Sequence, residues 1–221
     1  MKRITFEHIK NSEEIKTYIR QADTSLLALG YTEHGFAHVM RCVDVASRWL
    51  QQLGFSEHEA DLVRIAAYMH DIGNVVNRAN HALSGALLAH HILDKMGMPP
   101  ADIAIVITAI GNHDEPTAFP VNSVTAALIL ADKTDVRRSR VRNCDNISQD
   151  IHDRVNYAVK KASTSLDISS RVLKLSLEIE TEICPVMDYF EIFMDRMLLC
   201  RRASDFFGIR FQLVINNAVL M

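Results

Sequence analysis

A chain of 221 residues, 48% hydrophobic and 23% charged, has the composition of a globular protein able to bury a substantial core, which excludes a disordered chain. Its formal net charge of −3 offers no global basic field to nucleic acid, so phosphate binding has to come from a local cluster of cations. No apolar run reaches membrane-spanning length, the charged N-terminus lacks a signal-peptide core, and the widely spaced Cys42, Cys144, Cys184 and Cys200 read as reduced buried thiols, so a cytoplasmic protein is expected.

From about Ser12 to Gly30, the residues Ile15, Tyr18, Ile19, Leu26 and Leu27 recur at helical spacing, and Gly30 ends the segment. A second helix is expected from Thr32, as N-cap, to about Leu53, with Val39, Cys42, Val43, Ala46, Trp49 and Leu50 on one face. His34 and His38, four apart, would then point the same way. Ser56 with Glu59 is a capping-box signature for a third helix, which ends in Tyr68-Met69-His70-Asp71-Ile72-Gly73-Asn74. Gly73 reads as the left-handed residue just past that end, putting His70 and Asp71 in the last turn. An ionised carboxylate beside an imidazole in so apolar a segment is costly unless a cation or hydrogen-bonding partners compensate.

His81 falls at the start of the next helix, ahead of Ser84-Gly85-Ala86. Met98-Pro99-Pro100 breaks the chain, and an apolar helix from Ile103 to Ile110 stops at Gly111-Asn112-His113-Asp114-Glu115-Pro116. Ser123 caps a segment that runs through Val124, Ala127, Leu128, Leu130 and Ala131 into Asp132-Lys133-Thr134-Asp135. The character changes after about Cys144. Alternation at Val155, Tyr157 and Val159, at Leu173 to Ile179, and at Phe211 to Ile215 predicts three strands, with an amphipathic helix from Cys184 to about Phe207 between the last two.

His38, His70, Asp71, His81, His113 and Asp132 each stand at a helix end or on a polar stripe. Imidazole and carboxylate without thiolate suit iron, manganese, nickel or zinc, with magnesium as an alternative, in an open hydrolytic site. Lys133, Arg137, Arg138 and Arg140, with Arg41 and Arg78, are the candidate cations for phosphoryl oxygens. Asp71, His34 and Lys133 are the expected catalytic groups, His34 as an extra ligand or a proton-transfer group. Asp135 is placed to orient a ligand.

The order His, His-Asp, His, His, Asp on a helical frame resembles the HD-domain metal-dependent phosphohydrolase superfamily. The resemblance is carried by His38-x-x-Arg41, His70-Asp71-Ile72-Gly73, His81-x-x-x-Gly85-Ala86, Asn112-His113 and Ala131-Asp132-Lys133, from roughly Thr32 to Arg142. It implies that His38, His70, Asp71 and Asp132 hold one divalent ion, and that His81 and His113 hold a second, with Asp71 bridging. The short loop before His81 looks most like bacterial HD hydrolases of dinucleoside polyphosphates. Asn112, where the cyclic-dinucleotide phosphodiesterase branch has a histidine, and the lack of a Gly-Tyr-Pro signature set the chain apart from that branch. It also lacks the Glu-Asp pair typical of guanosine tetraphosphate hydrolases.

The expected fold is mainly α: an HD-domain helical bundle over residues 1–145, with a small α/β C-terminal subdomain of strand-strand-helix-strand order over residues 146–221 packed on it. The expected function is metal-dependent hydrolysis of a phosphate ester or anhydride of a nucleotide-like metabolite, with one or two divalent ions as cofactor. The alternatives are a cyclic-nucleotide phosphodiesterase and a non-catalytic metal- or nucleotide-binding sensor or scaffold. The expected partner is a small phosphorylated metabolite or nucleotide, with no nucleic acid polymer, no membrane, and a homodimer left open.

Overall fold

The computed structural model describes residues 3–115, 117–142 and 151–221. Helix α1 (Phe6–Asn11) precedes α2 (Glu13–Ala28), whose N-cap Ser12 accepts a hydrogen bond from the Ile15 N–H. Helix α3 (Phe36–Gln52) begins at Gly35 rather than at Thr32. The reason is tertiary: the Glu33 N–H donates to the Arg140 carbonyl (2.7 Å) and the His34 N–H to Asp23 Oδ1 (2.8 Å), so these donors are satisfied outside a helix. His34 therefore does not share a helix with His38.

Helix α4 (Glu57–Met69) carries the expected Ser56–Glu59 capping box. It is followed by His70, Asp71 and a tight 3-10 turn over Ile72–Val75. Helices α5 (His81–Lys95), α6 (Pro100–Gly111) and α7 (Ser123–Lys133) complete the bundle. The cap of α7 is Asn122, whose side chain accepts from the Thr125 N–H at 2.8 Å, one residue before the expected Ser123. Every residue of α7 from Val124 to Lys133 is buried, as expected for a helix that packs against α3, α4 and α6 at once.

Gly73 is not left-handed, contrary to the sequence expectation. Its role is close approach: a Cβ there would stand 2.0 Å from the His81 carbonyl oxygen and 2.5 Å from the Gly85 nitrogen. Gly85 answers it, since a Cβ on that residue would meet the Gly73 nitrogen and the His70 carbonyl at 3.3 Å. The two glycines let the first turn of α5 lie directly on the turn after Asp71, which brings His81 beside the His-Asp pair.

In the C-terminal part, the expected strand over Val155, Tyr157 and Val159 is instead helix α8 (Ile151–Ala158) followed by β1 (Val159–Asp167). Val155, Ala158 and Val159 are all buried, and with Ile151 they sit at helical rather than alternating spacing. Strands β2 (Val172–Ile179) and β3 (Arg210–Ile215) are as expected, and a short β4 (Ala218–Val219) follows an Asn216-Asn217 turn with positive φ at both residues. The sheet has the order β1-β2-β3-β4, with β2 and β3 parallel and the outer pairs antiparallel. Helix α9 (Val186–Phe206) links β2 to β3 and packs on both β3 and α7, so one hydrophobic core runs from Trp49 through Leu128 to Leu213. The expected boundary at residue 145, and Cys144, lie outside the described residues. Cys42, Cys184 and Cys200 are free and buried. Among the described residues no helix is long and apolar enough to cross a membrane.

Candidate metal centre

His38, on the first turn of α3, His70 and Asp71, past the end of α4, and Asp132, near the end of α7, converge in the interior. His38 Nε2 lies 3.3 Å from His70 Nε2, 3.3 Å from Asp132 Oδ1 and 3.8 Å from Asp71 Oδ2. His70 Nε2 lies 3.2 Å from Asp71 Oδ2. On the other side of Asp71, Oδ1 faces His81 Nε2 at 3.4 Å and His113 Nε2 at 4.0 Å, and the two imidazole nitrogens are 3.3 Å apart. Nitrogen or oxygen donors bound about 2.0–2.2 Å from one ion stand about 3.0–3.5 Å from each other when adjacent, which the shorter contacts of both groups match, while Asp71 stands further from His38 and His113.

The outer nitrogen of each ring is already engaged. Nδ1 of His38 meets Asp135 Oδ2 at 2.9 Å, that of His70 the Ala67 carbonyl at 2.8 Å, that of His81 the Arg78 carbonyl at 3.2 Å, and that of His113 the Ile110 carbonyl at 2.6 Å. An Nδ1–H donated outward leaves each Nε2 lone pair pointing inward. Four Nε2 atoms turned toward each other, and a buried Asp71 Oδ2 with no hydrogen-bond partner among the described residues, form a set of donors that calls for a cation between them. A divalent ion on each side of Asp71 fits that donor set.

The titration behaviour agrees. Burial opposes charge on His70, but the carboxylates of Asp71 and Asp132 outweigh it and raise the imidazole to about 9, so a proton substitutes for missing cationic charge. Burial, with charge on His70 and Lys133, pushes His113 down to about 3. Cys42 Sγ is 3.7 Å from His38 Nε2, yet burial and the nearby Asp132 and Asp135 drive its thiol pKa well above normal, which keeps it protonated and unsuited as a ligand.

A cavity of about 350 Å³ opens onto Asp71, His81, His113 and Asp132. His34 lines it with its ring 5.6 Å from that of His38, and its Nδ1–H donates to the Thr32 carbonyl at 2.6 Å. Burial and the Arg140 charge hold its pKa well below normal, so it presents a neutral Nε2. Lys133 also lines the cavity, with Nζ 2.8 Å from Asp132 Oδ2, 3.0 Å from Glu115 Oε2 and 3.5 Å from Asp114 Oδ1. Burial disfavours its charge, but these three carboxylates raise its pKa well above normal, so it is a fixed cation.

Of the other expected phosphate-binding residues, Arg78 lines the cavity, with its guanidinium over the Tyr31 ring at 5.4 Å. Arg41, Arg137 and Arg138 do not line it. Arg41 and Arg137 turn to Asp135, at 3.1 Å and 2.9 Å, and Arg138 pairs with Glu180 at 3.0 Å while lying over the Tyr157 ring. A buried carboxylate serving His38 needs compensating charge, and that need takes Arg41 and Arg137 away from the cavity, while Glu180 takes Arg138. Asp114, Glu115 and Arg196, at or beside the cavity wall, are not among the site residues expected from the sequence. The acid pair had a usable signal, since it directly follows His113, whereas Arg196 carries no mark beyond its place on an amphipathic helix.

Residues 35–137, which contain all six donors, match the HD domain family. An uncharacterized protein of Methanocaldococcus jannaschii is 29% identical over 163 residues, which are 64% of this chain, and the match spans 62% of that relative's length. Among solved structures, a predicted HD superfamily hydrolase from an uncultured Thermotogales bacterium is 26% identical, over 59% of this chain and 73% of that one, with a TM-score of 0.45. The match to the HD domain family spans the helices that bring the six donors together, so residues 35–137 of this chain are similar to an HD domain.

Proposed function

We propose that the protein is a metal-dependent phosphohydrolase acting on a small, nucleotide-like phosphorylated metabolite. The observation that carries this reading is the division of Asp71, one oxygen turned to His38 and His70 and the other to His81 and His113. Divalent ions held on the two sides would lower the pKa of a shared water toward neutrality and polarise a phosphoryl oxygen.

The chain's own residues supply the rest. His34 offers a neutral acceptor nitrogen at the cavity wall for a proton, Lys133 holds Asp132 and adds fixed positive charge, and Arg78 braces its guanidinium on Tyr31. A cavity of about 350 Å³ suits a compact metabolite rather than a polymer.

The test is metal analysis of protein purified without chelator, followed by phosphate-release assays on nucleotides, dinucleoside polyphosphates and a generic phosphodiester. Metal-dependent turnover that disappears in a folded Asp71→Ala variant supports the reading. Preference for a cyclic phosphodiester would redirect it to the phosphodiesterase alternative, and nucleotide binding without turnover under any metal would leave a sensor.

A further inference from the structure

Arg196 lies on α9, outside the segment that matches the HD family, yet it forms part of the cavity wall. Four cations border that cavity, Arg78, Lys133, Arg140 and Arg196, and their present partners separate them. Lys133 is enclosed by Asp132, Glu115 and Asp114. Arg140 is buried and donates Nε to the Glu33 carbonyl at 2.9 Å and Nη1 to the Asp135 carbonyl at 2.8 Å. Arg78 shares Nη1 between Asn74 and His81.

Arg196 is engaged differently. Its Nε stands 3.4 Å from Glu115 Oε1, but the pair lacks hydrogen-bond geometry, and that buried oxygen has no hydrogen-bond partner among the described residues. The guanidinium lies over the Phe193 ring at 4.7 Å, and Phe193 is itself held edge-on against Tyr189 at 5.1 Å. An arginine whose purpose was to brace α9 against the bundle would close on Glu115 in a two-point fork. This one is aimed by a ring and loosely tethered by a carboxylate, and among the described residues none accepts a hydrogen bond from it.

We infer that Arg196, seated on Phe193, binds the phosphoryl group of the substrate, so that the C-terminal helix contributes a binding residue the HD domain does not contain. The inference rests on the phosphohydrolase reading for the identity of the ligand. A phosphoryl group presents several oxygens to a planar guanidinium, a better partner than one oxygen at 3.4 Å, and Glu115 keeps the arginine at the cavity wall.

Inorganic phosphate titrated calorimetrically into metal-loaded protein tests it. Arg196→Gln is expected to weaken phosphate binding about tenfold or more with metal content unchanged, and Arg196→Lys, which keeps charge but loses the fork, to recover part of it. Arg202→Gln, at an exposed position on the same helix, should bind as the wild type does. Equal affinity in wild type and Arg196→Gln, an equal loss in Arg202→Gln, or no phosphate binding by the wild type overturns the inference. Should Arg196→Gln fail to fold, Phe193→Leu takes its place, and undiminished phosphate affinity there overturns it too. Phosphate binding that depends on Arg196 in a protein that turns over no substrate would sink the hydrolase reading and leave this one standing.

Discussion

His38 and Asp135, separated by 97 positions in the chain, meet at 2.9 Å through Nδ1 and Oδ2. That contact turns the far nitrogen of the ring toward Asp132 and His70. Asp135 is itself surrounded by Arg41, Arg137 and Arg140, so a fully buried carboxylate stays ionised: burial alone would raise its pKa, and the bonds from His38 and Arg137 hold it well below the usual range. The arrangement is a carboxylate–histidine pair behind a metal position.

Asp135→Asn should therefore weaken metal binding about 10- to 100-fold while leaving the direct ligands in place. Competition against a chromophoric chelator measures this, and an unchanged affinity would show that Asp135 serves only to gather arginines.

His70 sets a pH dependence. In the metal-free protein its folded pKa of about 9 lies above the ordinary 6.5, so the stability it contributes is full below about 6.5 and is lost as pH rises through about 9, on the order of 3 kcal/mol at most. Metal binding needs the deprotonated ring, so apparent metal affinity should climb over the same interval with release of a proton. Thermal melts of chelated protein, and calorimetry in buffers of differing ionisation enthalpy, read the two trends.

Gly73→Ala places a methyl group where the His81 carbonyl now sits. Because the neighbour is backbone, the start of α5 must shift, at a cost of about 1–3 kcal/mol or more in stability. His81 moves with it, so in the proposed two-ion site an ion between His81 and His113 should be lost before one at His38. Metal stoichiometry falling from two to one per chain, with a lowered melting temperature, is the expected result.

Lys133→Met removes the cation shared by the buried Asp132 and the half-buried Asp114 and Glu115 and leaves the Asp132 carboxylate uncompensated. Burial would raise the Glu115 pKa, and it is the charges of Lys133 and Arg196 that hold it at about 2. Breaking the buried Lys133–Asp132 pair should cost about 3–5 kcal/mol, read from urea denaturation, and the loss should be greater than in Arg138→Met, where both Arg138 and Glu180 are partly exposed.

Addition of a strong chelator should lower the melting temperature, and re-addition of the divalent metal should restore it in a concentration-dependent way. Ions bound only by the folded state stabilise it by mass action, adding about 2.7 kcal/mol at a hundredfold excess over Kd.

Much of this was legible in the amino-acid order alone. Helix positions, the Ser56–Glu59 cap and the six imidazole and carboxylate donors were marked by local features, because caps, periodicity and a polar residue closing an apolar run depend on near neighbours in the chain. The tertiary structure alone decided what those residues face. Thr32 looks like a helix cap until Asp23 and Arg140 take its neighbours' backbone groups, and Gly73 looks like a left-handed terminator until α5 lies against it. Arg41 looks available for phosphate until Asp135 arrives from the far end of the bundle, and Arg196 joins the cavity only because α9 packs on α7. Partners of buried charges are chosen by which distant groups share the same low-dielectric space, and no window along the chain contains that information.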